Sequence, residues 1–189
     1  MSAEKMGQQL FFVALILPPD LGAIANGWQY YCVDHFQTKK ALNSPPHITL
    51  QPPFKLSAQD FGQLQNLLQT FAQSRPVMPI QLTGFNCFPP RVIYLDVERS
   101  QKLLNCQSQL KNTFAEKLQI CDQRYGDRPF RPHVTLAFKD LSRDNFARAW
   151  AFFQGRSLDH NFVAEGVSLL QHNGRHWQMS AYFPFRGQS

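Results

Sequence analysis

The chain has 189 residues, 43% hydrophobic and 17% charged, which excludes a disordered chain and allows one large domain or two small lobes sharing a core. Its formal net charge of +6 suits an anionic ligand such as a nucleotide or RNA, but the charge is scattered and forms no polybasic tail. Cys32, Cys87, Cys106 and Cys121 show neither a C-x-x-C pair nor zinc-like spacing, so a reduced, cytoplasmic protein without a metal site is expected.

Leu10–Leu17 is an apolar run ended by Pro18-Pro19. It is too short for a membrane span and lacks a small-residue cleavage site, so it reads as a buried strand with no membrane partner. Leu21, Ile24, Trp28 and Tyr31 then recur at helical spacing, with Asp20 as the expected N-cap. A polar loop leads to the strand Pro46-His47-Ile48-Thr49-Leu50. Ser57 to Gln73 reads as a helix with Phe61, Leu64, Leu67, Leu68 and Phe71 on one face, and Val77–Phe85 as a strand.

The order then recurs. Val92–Val97 is a strand, and Leu103, Leu104, Leu110, Phe114 and Leu118 predict a helix from about Ser100 to Gln119. A polar loop, Asp122–Arg131, precedes the strand Pro132-His133-Val134-Thr135-Leu136. Ser142 caps a helix carrying Phe146, Trp150 and Phe153. Phe162–Leu170 and Trp177–Phe185 are expected strands joined at the Asn173-Gly174 turn. His172 and His176 flank that turn and do not form a helical metal pair, and His35 and His160 read as ordinary surface or helix-end residues.

His47 and His133 stand 86 residues apart, and Leu10 and Val92 stand 82 apart. The expected fold is therefore α+β and bilobal: one domain over residues 1–189, with an internal repeat over about 10–85 and 91–170. Two pseudo-twofold-related lobes of largely antiparallel sheet should flank a central cleft, with helices outside and the motif strands side by side.

His and Thr two residues apart on a strand face the same side. If the two copies meet, one cleft holds two imidazoles and two hydroxyls. An imidazole titrates near neutrality, so one can take a proton from an attacking water or hydroxyl while the other gives one to the leaving oxygen. Thr49 and Thr135 can hydrogen-bond the non-bridging oxygens of a phosphate. No metal or other cofactor is required. Arg124, Arg128 and Arg131 could meet RNA phosphates, and Tyr125, Phe54 and Phe138 could stack on a base, although core packing is the default for any one of the 17 Phe.

The twin His-x-Thr motifs, their spacing, and the opening Leu10-Phe11-Phe12-Val13-Ala14-Leu15 before Pro18-Pro19 resemble the two-histidine phosphoesterase superfamily. Within it, the chain resembles the bacterial branch named for 2′-5′ RNA ligase and RNA 2′,3′-cyclic phosphodiesterase. The resemblance implies metal-independent chemistry on 2′,3′-cyclic phosphates or 2′-5′ linkages of RNA or a nucleotide. His47 and His133 would be the acid–base pair, and Thr49 and Thr135 would hold the phosphate. The residues leave open which His is the acid; the resemblance favours His47. The branch commonly follows its first motif with Arg-Phe-Leu-Gly, where this chain has Gln51-Pro52-Pro53-Phe54, and often ends its second with Leu-Ala-Arg, where Phe138 and Lys139 stand here. The basic contact is therefore absent or moved to Lys139, and Lys139, Arg131 and Phe54 are candidate substrate contacts.

The leading expectation is a monomeric hydrolase that opens a 2′,3′-cyclic phosphate to a 2′-phosphate. RNA 2′-5′ ligation, in which a 5′-hydroxyl replaces water, uses the same residues. A non-catalytic RNA-binding module is disfavoured because both His and both Thr are present, and a metal-dependent hydrolase because no carboxylate and His cluster exists.

Overall fold

The apolar run at the N-terminus becomes β1 (Gln8–Ile16), and the two prolines that end it open α1 (Pro19–Phe36). Pro18 is the N-cap and the first helical position is also Pro, whose missing N–H costs nothing there. Asp20 lies in the first turn, where its charge meets the helix N-terminus, and is not the cap expected for it. The computed structural model describes residues 7–121 and 128–187. Arg124 and Tyr125 lie outside the described residues.

A 3-10 turn at Lys40–Asn43 leads into β2 (His47–Ser57). The next helix, α2 (Phe61–Gln73), starts later than its pattern suggests because Ser57 ends β2 and its hydroxyl donates to Asp60 at 2.7 Å. Then come β3 (Met78–Phe88), β4 (Val92–Val97), α3 (Gln101–Leu118), β5 (His133–Ala137) and α4 (Arg143–Phe153). Ser100 and Ser142 cap α3 and α4 by accepting from the N–H groups of Leu103 and Asn145.

The expected strand Phe162–Leu170 is two strands, β6 (His160–Ala164) and β7 (Gly166–His172), followed by β8 (Trp177–Pro184). The strands form one sheet in the order β6-β3-β4-β5-β2-β1-β7-β8, with every neighbouring pair antiparallel. β6 and β7 are six strand spacings apart in that order, roughly 29 Å in a flat sheet. Only Glu165 joins them, so the sheet curls until its two ends meet. Gly166 is required at the junction: a Cβ there would run into the Phe183 carbonyl and come within 2.7 Å of the Tyr182 ring.

The two halves of the sheet join where β2 meets β5, at the pair Ile48 and Val134. The halves are interleaved in sequence, since β3 pairs with β4 and β6 while β7 pairs with β1 and β8. α1 packs on β5 and α4, and α4 on β3 and β4; α2 packs on β7 and β8, and α3 on β2 and β3. One face of the sheet supplies Phe11, Val13, Leu15, Ile48, Leu50, Ile93, Leu95, Val134 and Leu136 to the main core under these helices. The residues between them face the other way. Among the described residues no helix is long and apolar enough to cross a membrane.

Candidate active site

The strand alternation that buries Ile48 and Val134 turns His47, Thr49, His133 and Thr135 to the opposite face, where all four are half-buried. In the antiparallel register set by Ile48 and Val134, His47 stands across from Thr135 and Thr49 across from His133. Each motif therefore offers its imidazole beside the other's hydroxyl. The two imidazoles belong to diagonal neighbours, residues roughly 7–8 Å apart by that geometry.

Both rings are anchored in the same way. His47 Nδ1 lies 2.7 Å from the Pro45 carbonyl, and His133 Nδ1 lies 2.7 Å from the Arg131 carbonyl. A carbonyl oxygen only accepts, so each Nδ1 carries the proton and donates it. That leaves Nε2 of each ring as the atom available for proton transfer. Neither Nε2 nor either Thr hydroxyl has a hydrogen-bond partner among the described residues.

Aromatic side chains support each ring. Phe12 lies 4.7 Å from His47 between ring centroids and 4.6 Å from Trp177. Tyr94 and Phe88 lie 5.0 and 5.1 Å from His133. Phe12 and Tyr94 are themselves 82 residues apart, the interval of the strand repeat. They sit in apolar runs where nothing in the sequence separates a site-facing aromatic from a core one, so sequence reasoning misses both.

The surroundings differ in charge. The cross-strand neighbour of His47 on β1 is Ile16, whereas that of His133 on β4 is Asp96. Burial lowers the His47 pKa to about 4; the Pro45 carbonyl opposes this and a charge on His133 adds to it. Burial also lowers the His133 pKa, with the Arg131 carbonyl and the Asp96 carboxylate pulling it back up. Burial raises the Tyr94 phenol to about 12; Asp96 adds to this and Arg131 opposes it.

A glutamine from the far repeat steadies each motif strand. Gln29 of α1 donates to the Thr135 carbonyl at 2.9 Å, and Gln107 of α3 donates to the Leu50 carbonyl at 3.3 Å. Asp140, just past β5, accepts from the Thr38 hydroxyl at 2.6 Å and from the N–H groups of Lys39 and Lys40. The loop after the second motif is thereby tied to the one before the first.

Of the three candidate substrate contacts, Phe54 is corrected. It is buried on the core face, with its ring 6.1 Å from Phe11 and 5.2 Å from Phe114. It stands seven positions after His47, an odd offset that sends it to the other side of the strand. Arg131 is exposed, and its charge acts on Tyr94 beside His133. Lys139 is exposed beyond the end of β5, at φ 59, with Nζ 5.3 Å from the Phe138 ring centroid. Among the described residues no three His, Cys, Asp or Glu side chains converge on a point that could hold a metal ion. His172 and His176 flank the β7–β8 turn, where Asn173 Oδ1 accepts from the N–H groups of Arg175 and His176.

Residues 17–176 match the family model of the 2′-5′ RNA ligase superfamily. A Staphylococcus epidermidis protein named "Putative phosphoesterase SERP0604" is 30% identical over 132 residues, covering 68% of this chain and 72% of that protein. A Bacillus pumilus protein named "Putative phosphoesterase" is 28% identical over 128 residues, covering 67% and 70%. Two crystal structures share the fold. One is TT0787 of Thermus thermophilus, with a TM-score of 0.67 and 20% identity over 95% of this chain and 100% of that one. The other is E. coli LigT complexed with 3′-AMP, with a TM-score of 0.64 and 16% identity over 95% and 98%. With its paired His-x-Thr strands and a match over most of its length, the chain belongs to the 2′-5′ RNA ligase superfamily, the two-histidine phosphoesterases.

Proposed function

We propose that the protein is a metal-independent phosphodiesterase that opens 2′,3′-cyclic phosphates of RNA ends or nucleotides to 2′-phosphates. The observation that carries this reading is the diagonal pair of imidazoles, each tied at Nδ1 and each free at Nε2, with a hydroxyl beside each. A phosphate between them meets a proton acceptor and a proton donor on opposite flanks and two hydroxyls at its non-bridging oxygens.

The chemistry follows from the charges. Water attacks phosphorus as His47 Nε2, neutral in its apolar setting beside Ile16, takes the proton. His133 Nε2–H, favoured as a cation by Asp96, gives its proton to the 3′ oxygen as the P–O3′ bond breaks. The anionic substrate raises both imidazole pKa values on binding, which loads the acid. This assignment reverses the order that the family resemblance favours, and it rests on the contrast between Ile16 and Asp96. The complexes of E. coli LigT with 3′-AMP and with phosphate support a nucleotide substrate on this fold.

The test is product analysis with a 2′,3′-cyclic nucleotide and with a cyclic-phosphate-ended RNA, each with and without EDTA. A 2′-phosphate formed equally in both conditions is expected. Activity lost in EDTA and restored only by added metal sinks the mechanism. A joined 2′-5′ product from RNA bearing a free 5′-hydroxyl, without hydrolysis, makes the chain a ligase.

A further inference from the structure

Beside His47 a cavity of about 300 Å³ opens that the acid–base chemistry does not use. Asn26 and Tyr30 line it from α1, four residues apart and so on one face of the helix. Asn43 and Ser44 line it from the segment before the first motif, and His176 and Trp177 from the β7–β8 turn. Two of its wall residues lead to His47. Pro45, whose carbonyl anchors His47, is part of its wall, and Trp177 touches Phe12, which touches His47.

Its chemistry is selective. No Lys, Arg, Asp or Glu lines it, so it is not a second phosphate site. Tyr30 is 59% exposed with no ring contact among the described residues, whereas Trp177 is half-buried against Phe12 and His172. The side chains of Asn26, Asn43 and Ser44 have no hydrogen-bond partner among the described residues. Two carboxamides offer donors and an acceptor each, and a hydroxyl offers both. The exposed Tyr30 ring beside unpaired amides suits a flat, neutral ligand with donors and acceptors on its edge, which is the chemistry of a nucleobase.

We infer that this cavity takes the base of the nucleoside that carries the cyclic phosphate, stacking it on Tyr30 while Asn26 and Asn43 bond its edge. The inference rests on the proposed phosphodiesterase reading for its substrate, but its test does not need turnover. Calorimetry compares three probes: a nucleoside 3′-monophosphate, a ribose phosphate without a base, and inorganic phosphate. The wild-type chain should bind the nucleotide more tightly than the ribose phosphate. Tyr30→Ala and Asn26→Ala, on the outward side of α1, should weaken the nucleotide about five- to a hundredfold and leave the ribose phosphate unchanged. Equal affinity of the wild type for nucleotide and ribose phosphate overturns the inference, as does a nucleotide preference that survives in both variants. Tight nucleotide binding without hydrolysis would count against the phosphodiesterase reading and leave the pocket standing.

Discussion

Asp96 occupies beside His133 the cross-strand place that Ile16 occupies beside His47. Two near-equivalent imidazoles are thereby given unlike surroundings. A carboxylate favours the cation on one side and an apolar side chain the neutral ring on the other.

Removing that carboxylate should show in the pH profile. The proposed mechanism needs His47 neutral and His133 protonated, so its pH profile should be a bell whose basic limb belongs to His133. In Asp96→Asn the His133 pKa falls, and the basic limb should move to lower pH. An NMR titration of the His133 ring should move with it. A basic limb that stays in place would separate Asp96 from the acid.

The two histidines should respond differently to the leaving group. With a cyclic nucleotide, either His→Ala change should cost roughly a hundredfold to ten-thousandfold. A p-nitrophenyl phosphodiester needs no proton on its leaving oxygen. His133→Ala should therefore recover much of its rate with that substrate, while His47→Ala does not. Recovery by His47→Ala instead would restore the role order that the family resemblance favours.

Thr49→Ala and Thr135→Ala should each cost roughly tenfold, because each would remove one of the neutral hydrogen bonds proposed to hold a phosphate oxygen. Inorganic phosphate affinity, measured by calorimetry, should fall in step. Full activity in both variants would remove the hydroxyls from the phosphate site.

Asp140 makes stability depend on acid. Burial pushes its pKa up, but hydrogen bonds from Thr38 and from the N–H groups of Lys39, Asp140 and Lys40 outweigh it, leaving the carboxyl below its ordinary range. Its contribution is present above that ordinary value, near 4, and is lost as pH falls through the lower folded value. Asp140→Asn should cost about 1 kcal/mol in neutral denaturant titrations, since the group is partly exposed. The gap to wild type should close in acid; a gap that stays constant with pH would assign the loss to shape and not to charge.

Gly166→Ala should destabilise by about 1–3 kcal/mol, because the added methyl meets the Phe183 carbonyl and the Tyr182 ring. Gly155→Ala, at a position with open space around it, is the control. Equal melting temperatures for the two variants would show that the β7–β8 contact can yield.

The site was readable where its signals were local. His47 and Thr49 share a face by alternation alone, and Ser142 announced its helix by hydrogen-bonding chemistry. The turn at Asn173 and Gly174 was legible because Gly174 takes φ 97, which glycine adopts without strain. What stayed hidden was non-local. Phe162 to Leu170 is interrupted only at Glu165-Gly166, and nothing in it says that Ala164 pairs with Met78 while Val167 pairs with Phe183. Asp96 looked like an ordinary polar residue in a half-buried strand until the register placed it beside His133.

The interleaving of the halves bears on how the chain can be divided. A cut at residues 89–91 leaves β3 on the first fragment, although its hydrogen bonds go to β4 and β6 on the second. β7 stays on the second, although its bonds go partly to β1 on the first. α1 would be parted from β5, and Gln29 from the Thr135 carbonyl. Neither fragment holds a complete half-sheet, and each carries apolar surface that the other covers. Two such fragments should complement each other: mixed, they should rebuild the meeting of Ile48 with Val134, and recovery of the proposed turnover would report their association.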